Sequence, residues 1–270
     1  MTVAFALLTR MDVAVCVAAL QRVTHKATVL HVKRLNSIVR YMQRHPRTLH
    51  FAHIPYPTSL ILISDSSFKK EDDSGHAMRG YFIVRGNSDY LKTGATMSIH
   101  ILDYAAGRQR HVVRATFSAE LFAATDTLDT GLLQVVTLEE ITRGKPLTMT
   151  EAKGVMEHGP KAVKLCLCVD AMSVYSSITA ITIKVPAECS TLLHIKWVRE
   201  LIERRVIYCI AWIDTRSMLA DGLTKGCINR TLIDEAMKGK WAIVDCKVWK
   251  TSVRKSKQSD SLVVVQRRSL

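Results

Sequence analysis

The sequence predicts an α/β domain with a mixed sheet, flanking helices and a helical segment at the N-terminus. Short continuous apolar runs occur at 59–64, 162–169 and 206–213, and such runs are typical of strands buried on both faces of a sheet. Longer segments between and around them place apolar residues at helical spacing. Strands that alternate with helices in this way indicate an α/β layer fold.

The N-terminal part is predicted to be helical over 11–45. Asp12 can cap the first helix, and apolar residues recur at helical spacing from Val29 to Met42. Prolines from Pro46 onward mark a connector. We therefore expect 1–57 to be a helical segment that precedes the sheet.

The sheet domain is predicted over 58–240, and 241–270 is predicted to be a loose basic tail. The expected elements follow in chain order: strands at 59–64, 80–86, 97–104 and 108–116, a long helix from Thr116 or Ser118, a strand at 162–169, helices at 171–179 and 190–205, a strand at 206–213, and a helix after Leu219.

Charge indicates the class of partner. The chain has 38 Lys and Arg against 24 Asp and Glu, a formal net charge of +14. An excess of this size favours a polyanion, most often nucleic acid, as the partner. A basic protein without a nucleic-acid function remains the alternative.

Cysteine usage and hydropathy bear on the compartment. The seven cysteines form no C-x-x-C pair, and several lie in apolar runs, which favours buried thiols in a reducing compartment. The apolar runs near the N-terminus are too short to span a membrane. We expect an intracellular protein, cytoplasmic or nuclear and not secreted, with no membrane partner.

Four acidic residues stand at boundaries of predicted elements. Asp65 and Asp170 each follow a buried strand, Glu120 lies in the first part of the long helix, and Asp221 opens the last helix. Carboxylates at the ends of neighbouring buried strands need a cation, and oxygen ligands suit Mg²⁺ or Mn²⁺. Each acid could instead end a strand or cap a helix.

The motifs around these acids resemble the ribonuclease H domain of copia-type retrotransposon polyproteins. The order is "ISDSSF", "FSAELFAA", "LCVDAMSVY" and "LADGLTKG", and the last string is the most specific. The match at Glu120 keeps the Ala-Glu core of the family pattern. Residues 8–45 are similar to the segment that connects reverse transcriptase to this domain, so the resemblance covers about 8–240.

The resemblance implies a ribonuclease H-like fold with a mixed five-stranded sheet, and cleavage of the RNA strand of RNA/DNA hybrids. It implies two divalent ions, Mg²⁺ or Mn²⁺: Asp65 would bridge both, Glu120 and Asp170 would complete one, and Asp221 would hold the other. It also admits a reverse transcriptase domain as a partner. No Tyr-x-Asp-Asp polymerase signature occurs in the sequence.

Two groups of basic residues are predicted to contact phosphates: Lys33, Arg34, Arg40, Arg44 and Arg47 in the first group, and Lys196, Arg199, Arg204 and Arg205 in the second. The alternative function is a catalytically inactive ribonuclease H-like module that binds nucleic acid or docks on a polymerase. It would be favoured if Glu120 pointed into the core, away from the other acids.

One tripeptide could suggest another enzyme. Asp129-Thr130-Gly131 is the motif of aspartic proteases, which need it in a loop so that two aspartates share a proton. Here it falls within a helical pattern, so we do not expect a protease.

Overall fold

The computed structural model describes residues 9–68, 76–226 and 229–250. The strands have the following bounds: β1 Ser59–Ser67, β2 His76–Gly86, β3 Thr96–Ser98, β4 His100–Val112, β5 Lys164–Val169, β6 Cys209–Ile213, β7 Lys240–Ala242 and β8 Cys246–Trp249. The α-helices have the following bounds: α1 Ala14–Gln21, α2 Val29–Arg44, α3 Thr116–Arg143, α4 Met149–His158, α5 Met172–Thr179, α6 Thr191–Glu203, α7 Asp221–Thr224 and α8 Thr231–Met237.

The main sheet is mixed and has six strands in the order β4-β2-β1-β5-β6-β8. The central strands β1, β5 and β6 run parallel to one another, and the remaining pairings are antiparallel. A second, two-stranded sheet joins β3 to β7. The predicted α/β class with a mixed sheet and flanking helices is therefore confirmed.

The predicted number of five strands is wrong, because the sixth strand lies in the segment predicted to be a loose tail. β8 pairs with β6, and β7 pairs with β3. Trp241 is 1% exposed and its indole N–H donates to the Ser217 carbonyl at 2.8 Å. Because the buried Trp241 anchors this segment, the fold continues to at least Trp249. Residues 251–270 lie outside the described residues.

Another boundary also differs from the prediction. The strand predicted at 108–116 is not separate: its first half continues β4, which runs unbroken to Val112. β4 is 13 residues long and pairs with β2 along most of its length, with two register shifts. Among the described residues, β4 lies at an edge of the main sheet.

The N-terminal segment is built into the domain and is not an independent appendage. Met11 and Ala14 are fully buried in the core on one face of the sheet. Asp12 does not cap α1; it lies in a short 3₁₀ turn and accepts hydrogen bonds from Arg10 at 2.8 and 2.9 Å. Removing this segment would therefore open the core.

Helices cover both faces of the main sheet. One face packs against α3, α4, α5 and α6, and the other against α1, α7, α8 and the small sheet. Alternate residues of the central strands serve the two cores: Leu60 and Leu62 face α3, whereas Ile61 and Ile63 face α7. No helix among the described residues is both long enough and apolar enough to cross a membrane.

The long helix α3 crosses β1 at close range, and Gly131 permits this. A Cβ at Gly131 would lie 2.5 Å from Cδ1 of the fully buried Leu62. The Asp129-Thr130-Gly131 tripeptide thus lies within a helix and serves helix packing, as expected.

We predict that Gly131→Ala destabilises the protein by about 1–3 kcal/mol, because the fully buried Leu62 side chain would have to shift within a packed core. The matched control is Gly154→Ala in α4, where a Cβ would meet no atom within 4 Å. There the better helix propensity of alanine should stabilise by up to about 1 kcal/mol. Urea unfolding measures both; equal stabilisation by the two substitutions would contradict the packing argument.

Candidate metal centre

Three of the four predicted acids meet at the carboxyl end of the central parallel strands. Asp65 is near the end of β1, and Asp170 directly follows β5, its parallel neighbour. Glu120 reaches the same point from α3, and the three side chains offer oxygen atoms that all lie within 4.8 Å of one another. The predicted adjacency of the Asp65 and Asp170 strands is confirmed.

Glu120 is directed at Asp65 by contacts in the first turns of α3. The backbone of Ser66, next to Asp65, makes a hydrogen bond with the Glu120 carboxylate. The buried Gln109 side chain donates to the Ala119 carbonyl at 2.6 Å and to the Ser66 hydroxyl at 3.3 Å. β4, the end of β1 and the start of α3 are thereby tied together, and Glu120 does not point away from the acids.

Asp221 adjoins this group without being one of the three. It is 8% exposed, and its Oδ1 accepts a hydrogen bond from Lys225 Nζ at 2.5 Å. The same ammonium lies 3.9 Å from Asp65 Oδ1. Asp221 is the first residue of α7, and the N-cap position is occupied by Ala220, so Asp221 is not the helix N-cap that the alternative interpretation required.

A glycine lets α7 approach the sheet beside Asp65. Gly80 on β2 is the antiparallel partner of Asp65. A Cβ at Gly80 would lie 2.7 Å from Leu223 Cβ and 2.9 Å from Thr224 Cγ2. Because no side chain separates them, the Thr224 hydroxyl reaches Asp65 Oδ2 and donates to it.

Burial and mutual repulsion favour the protonated forms of the three acids when no metal ion is bound. Burial raises the pKa of Asp65 to about 7 against the opposing charge of Lys225. Burial, followed by the charges of Asp65 and Asp170, raises the pKa of Glu120 to about 9. The pKa of Asp170 is also raised, by burial and then by the charge of Asp221.

The residues present fit a divalent metal ion. Three carboxylates supply the hard oxygen ligands that Mg²⁺ and Mn²⁺ prefer. Lys225 is the cation whose charge acts on all three, and one ammonium does not neutralise three carboxylates. Clustered buried acids are stabilised by a cation of higher charge.

Sequence reasoning missed three residues that shape this centre. Lys225 and Thr224 contact the acids directly, and the i, i+4 spacing of Asp221 and Lys225 was a usable signal for their pairing. No pattern in the sequence indicated the contacts of Gln109 with Ser66 and Ala119, because Gln109 lies on β4, which is separated from β1 by β2 in the sheet.

The two predicted basic groups are found on opposite sides of the main sheet. On α2, Lys33, Arg34, Arg40 and Arg44 are all exposed, and α2 packs on the α1 side. Arg47 differs, since its guanidinium donates to Asp234 at 2.9 Å. The α2 residues are therefore free to meet phosphates, whereas Arg47 is engaged in an internal ion pair.

The second basic group lies on and after α6. Lys196 is exposed, but Arg199 is partly buried and donates to the Ala180 carbonyl at 2.5 Å. Arg204 pairs with Glu200 at 2.5 Å, and Arg205 is exposed. This group offers fewer unpaired cations than α2 does.

We predict that the metal-free protein becomes less stable as pH rises from about 5 to 9. A carboxyl group whose pKa is higher in the folded than in the unfolded state contributes stability below its unfolded pKa, and that stability is lost as pH rises through the folded pKa. Glu120→Gln removes one such group and should flatten the decline. Melting temperatures measured with a chelator test this; equal slopes for the parent and the variant would contradict it.

Comparison with known proteins leaves the family open. No protein-family model matches the chain, and no curated protein matches its sequence. The resemblance to copia-type ribonuclease H domains thus stays a prediction.

Proposed function

We propose that this protein is a divalent-metal-dependent endonuclease of the ribonuclease H type, which hydrolyses the RNA strand of RNA/DNA hybrids as part of a retrotransposon polyprotein. One observation carries the proposal: acids from three distant parts of the chain bring their oxygens within 4.8 Å of one another. They do so at the end of parallel strands in a chain with net charge +14. The mixed six-stranded sheet is compatible with a ribonuclease H-like fold.

Asp65, Glu120 and Asp170 would hold Mg²⁺ or Mn²⁺, and the resemblance implies a second ion at Asp65 and Asp221. A divalent ion bound there supplies Lewis acidity, which lowers the pKa of water and neutralises negative charge on a leaving oxygen. Thr224 orients the Asp65 carboxylate through its hydroxyl. The hydrogen bond from the Ser66 backbone holds Glu120 in place. These contacts fix the ligand positions before substrate arrives.

The exposed cations of α2 support a nucleic-acid substrate. Lys33, Arg34, Arg40 and Arg44 would contact phosphates. On α6 the exposed Lys196 would add a contact, whereas Arg199 already donates to the Ala180 carbonyl. Such contacts add affinity that falls steeply with salt and carry no sequence preference. Contacts to 2′-hydroxyls and groove shape would distinguish a hybrid from duplex DNA.

The inactive binding module is the weaker alternative. It requires a carboxylate set that is incomplete or dispersed, with Glu120 directed away from the others. Glu120 instead joins Asp65 and Asp170, and Asp221 adjoins them through Lys225. The meeting of these three acids, with Asp221 beside them, favours hydrolysis over binding alone.

We predict that Asp65→Asn abolishes cleavage of a labelled RNA/DNA hybrid in Mg²⁺ or Mn²⁺ while hybrid binding is retained, because a ligand is lost and a repelling charge beside the phosphates is removed. The matched control is Asp214→Asn. Asp214 directly follows the next parallel strand, β6, but its carboxylate pairs with Arg216 at 2.9 and 3.1 Å. That variant should cleave within a few-fold of the parent.

Cleavage rates and hybrid affinities of the parent and both variants decide between the two functions. A parent that binds the hybrid in both metals without cutting it would support the binding module. A parent that neither binds nor cuts the hybrid would overturn the proposed substrate.

A further inference from the structure

Lys225 lies within the group of acids as a cation supplied by the chain itself. Its Nζ is 2.5 Å from Asp221 Oδ1 and 3.9 Å from Asp65 Oδ1. The Asp65 and Asp221 side chains are 1% and 11% exposed, whereas that of Lys225 is 37% exposed. The ammonium thus approaches the buried acids from the solvent side and bridges two of them.

The position of Lys225 is set by the fold around it. The Lys225 backbone N–H donates to the Asp221 carbonyl at 2.9 Å, so one helical turn places the two side chains on the same face. The close approach of α7 to Gly80 fixes that turn against the sheet beside Asp65. The ammonium therefore meets Asp65 and Asp221 through a short, anchored stretch of backbone.

The four acids differ in what lies next to them: three lie next to one another, and the fourth lies next to a lysine. Asp65, Glu120 and Asp170 lie close enough together to share one metal ion. The remaining acid, Asp221, already has a cationic partner in Lys225. Lys225 Nζ faces Oδ1 of both Asp221 and Asp65. A second metal ion bound by these two residues would therefore compete with the ammonium for the same carboxylates.

The Lys225 ammonium opposes a second ion by its position. With four ionised carboxylates, one divalent ion and the ammonium, the centre carries a net charge of −1, and a second divalent ion would change it to +1, so the total charge does not decide between them. The second ion would, however, lie beside Lys225 Nζ, which is 2.5 Å from Asp221 Oδ1 and 3.9 Å from Asp65 Oδ1, and two cations at such a point repel each other. The second ion and the ammonium are therefore competitors.

We infer that the Lys225 ammonium takes the place of the second metal ion, so that the chain binds one divalent ion at Asp65, Glu120 and Asp170. This inference rests on the proposed function only in assuming that the acids form a metal centre. It departs from the two ions that the resemblance implies. Lys225 would thereby provide the positive charge that, in a two-ion site, comes from the second metal ion.

The test is the number of Mn²⁺ ions bound per chain, measured by calorimetric titration and by the electron paramagnetic resonance signal of free Mn²⁺. The parent should bind one ion. Lys225→Met removes the charge and keeps an unbranched side chain, and it should bind two. The matched control is Lys238→Met, which removes an exposed ammonium that pairs with Glu235 at 2.7 Å at the end of α8; it should bind one.

Lys225→Gln serves if Lys225→Met does not fold, since it also removes the charge but keeps a polar end that can hydrogen-bond to Asp221. It should likewise bind two ions. Two ions of similar affinity in the parent, or one ion in a folded Lys225→Met protein, would overturn the inference. Hybrid cleavage is not part of this readout, so a wrong substrate would leave the ion count valid.

Discussion

The arrangement of the domain centres on the repulsion among carboxylates at the end of two parallel strands. Asp65 and Asp170 are neighbours because β1 and β5 pair directly, and Glu120 is added from α3. Like charges in a buried place destabilise the fold unless a cation or a proton compensates them. Lys225 provides part of that compensation. Burial first, and then the charges of neighbouring acids, still raise the pKa values of Asp65 and Glu120, so both groups favour a proton or a metal ion.

Both faces of the sheet are needed to build this centre. Glu120 comes from the α3 face, whereas Asp221 and Lys225 come from α7 on the other face. The N-terminal segment and the last strands complete the core beneath α7, through Met11 and Trp241. Segments from both ends of the described chain thus pack in the same core as α7, which carries Asp221.

The sequence predicted the site best where an acidic residue directly follows a buried apolar strand, because few structural roles suit a charge at such a position. Buried apolar runs followed by Asp65 and Asp170 predicted adjacent strands and neighbouring acids, and the structure confirms both. The strand at 246–249 was missed because its buried and exposed residues do not alternate regularly, and because it lies at the edge of the sheet as far as the described residues show. The contacts of Gln109 depend on pairing across the sheet, which local spacing does not encode.

The central claim is that Asp65, Glu120 and Asp170 form a metal-binding centre. Anomalous diffraction from crystals of the full chain soaked in Mn²⁺ tests it most directly, because the signal locates the ion without reference to any reaction. The account predicts an anomalous peak in contact with carboxylate oxygens of all three residues. A peak elsewhere, or no peak at these residues at saturating Mn²⁺, would contradict it.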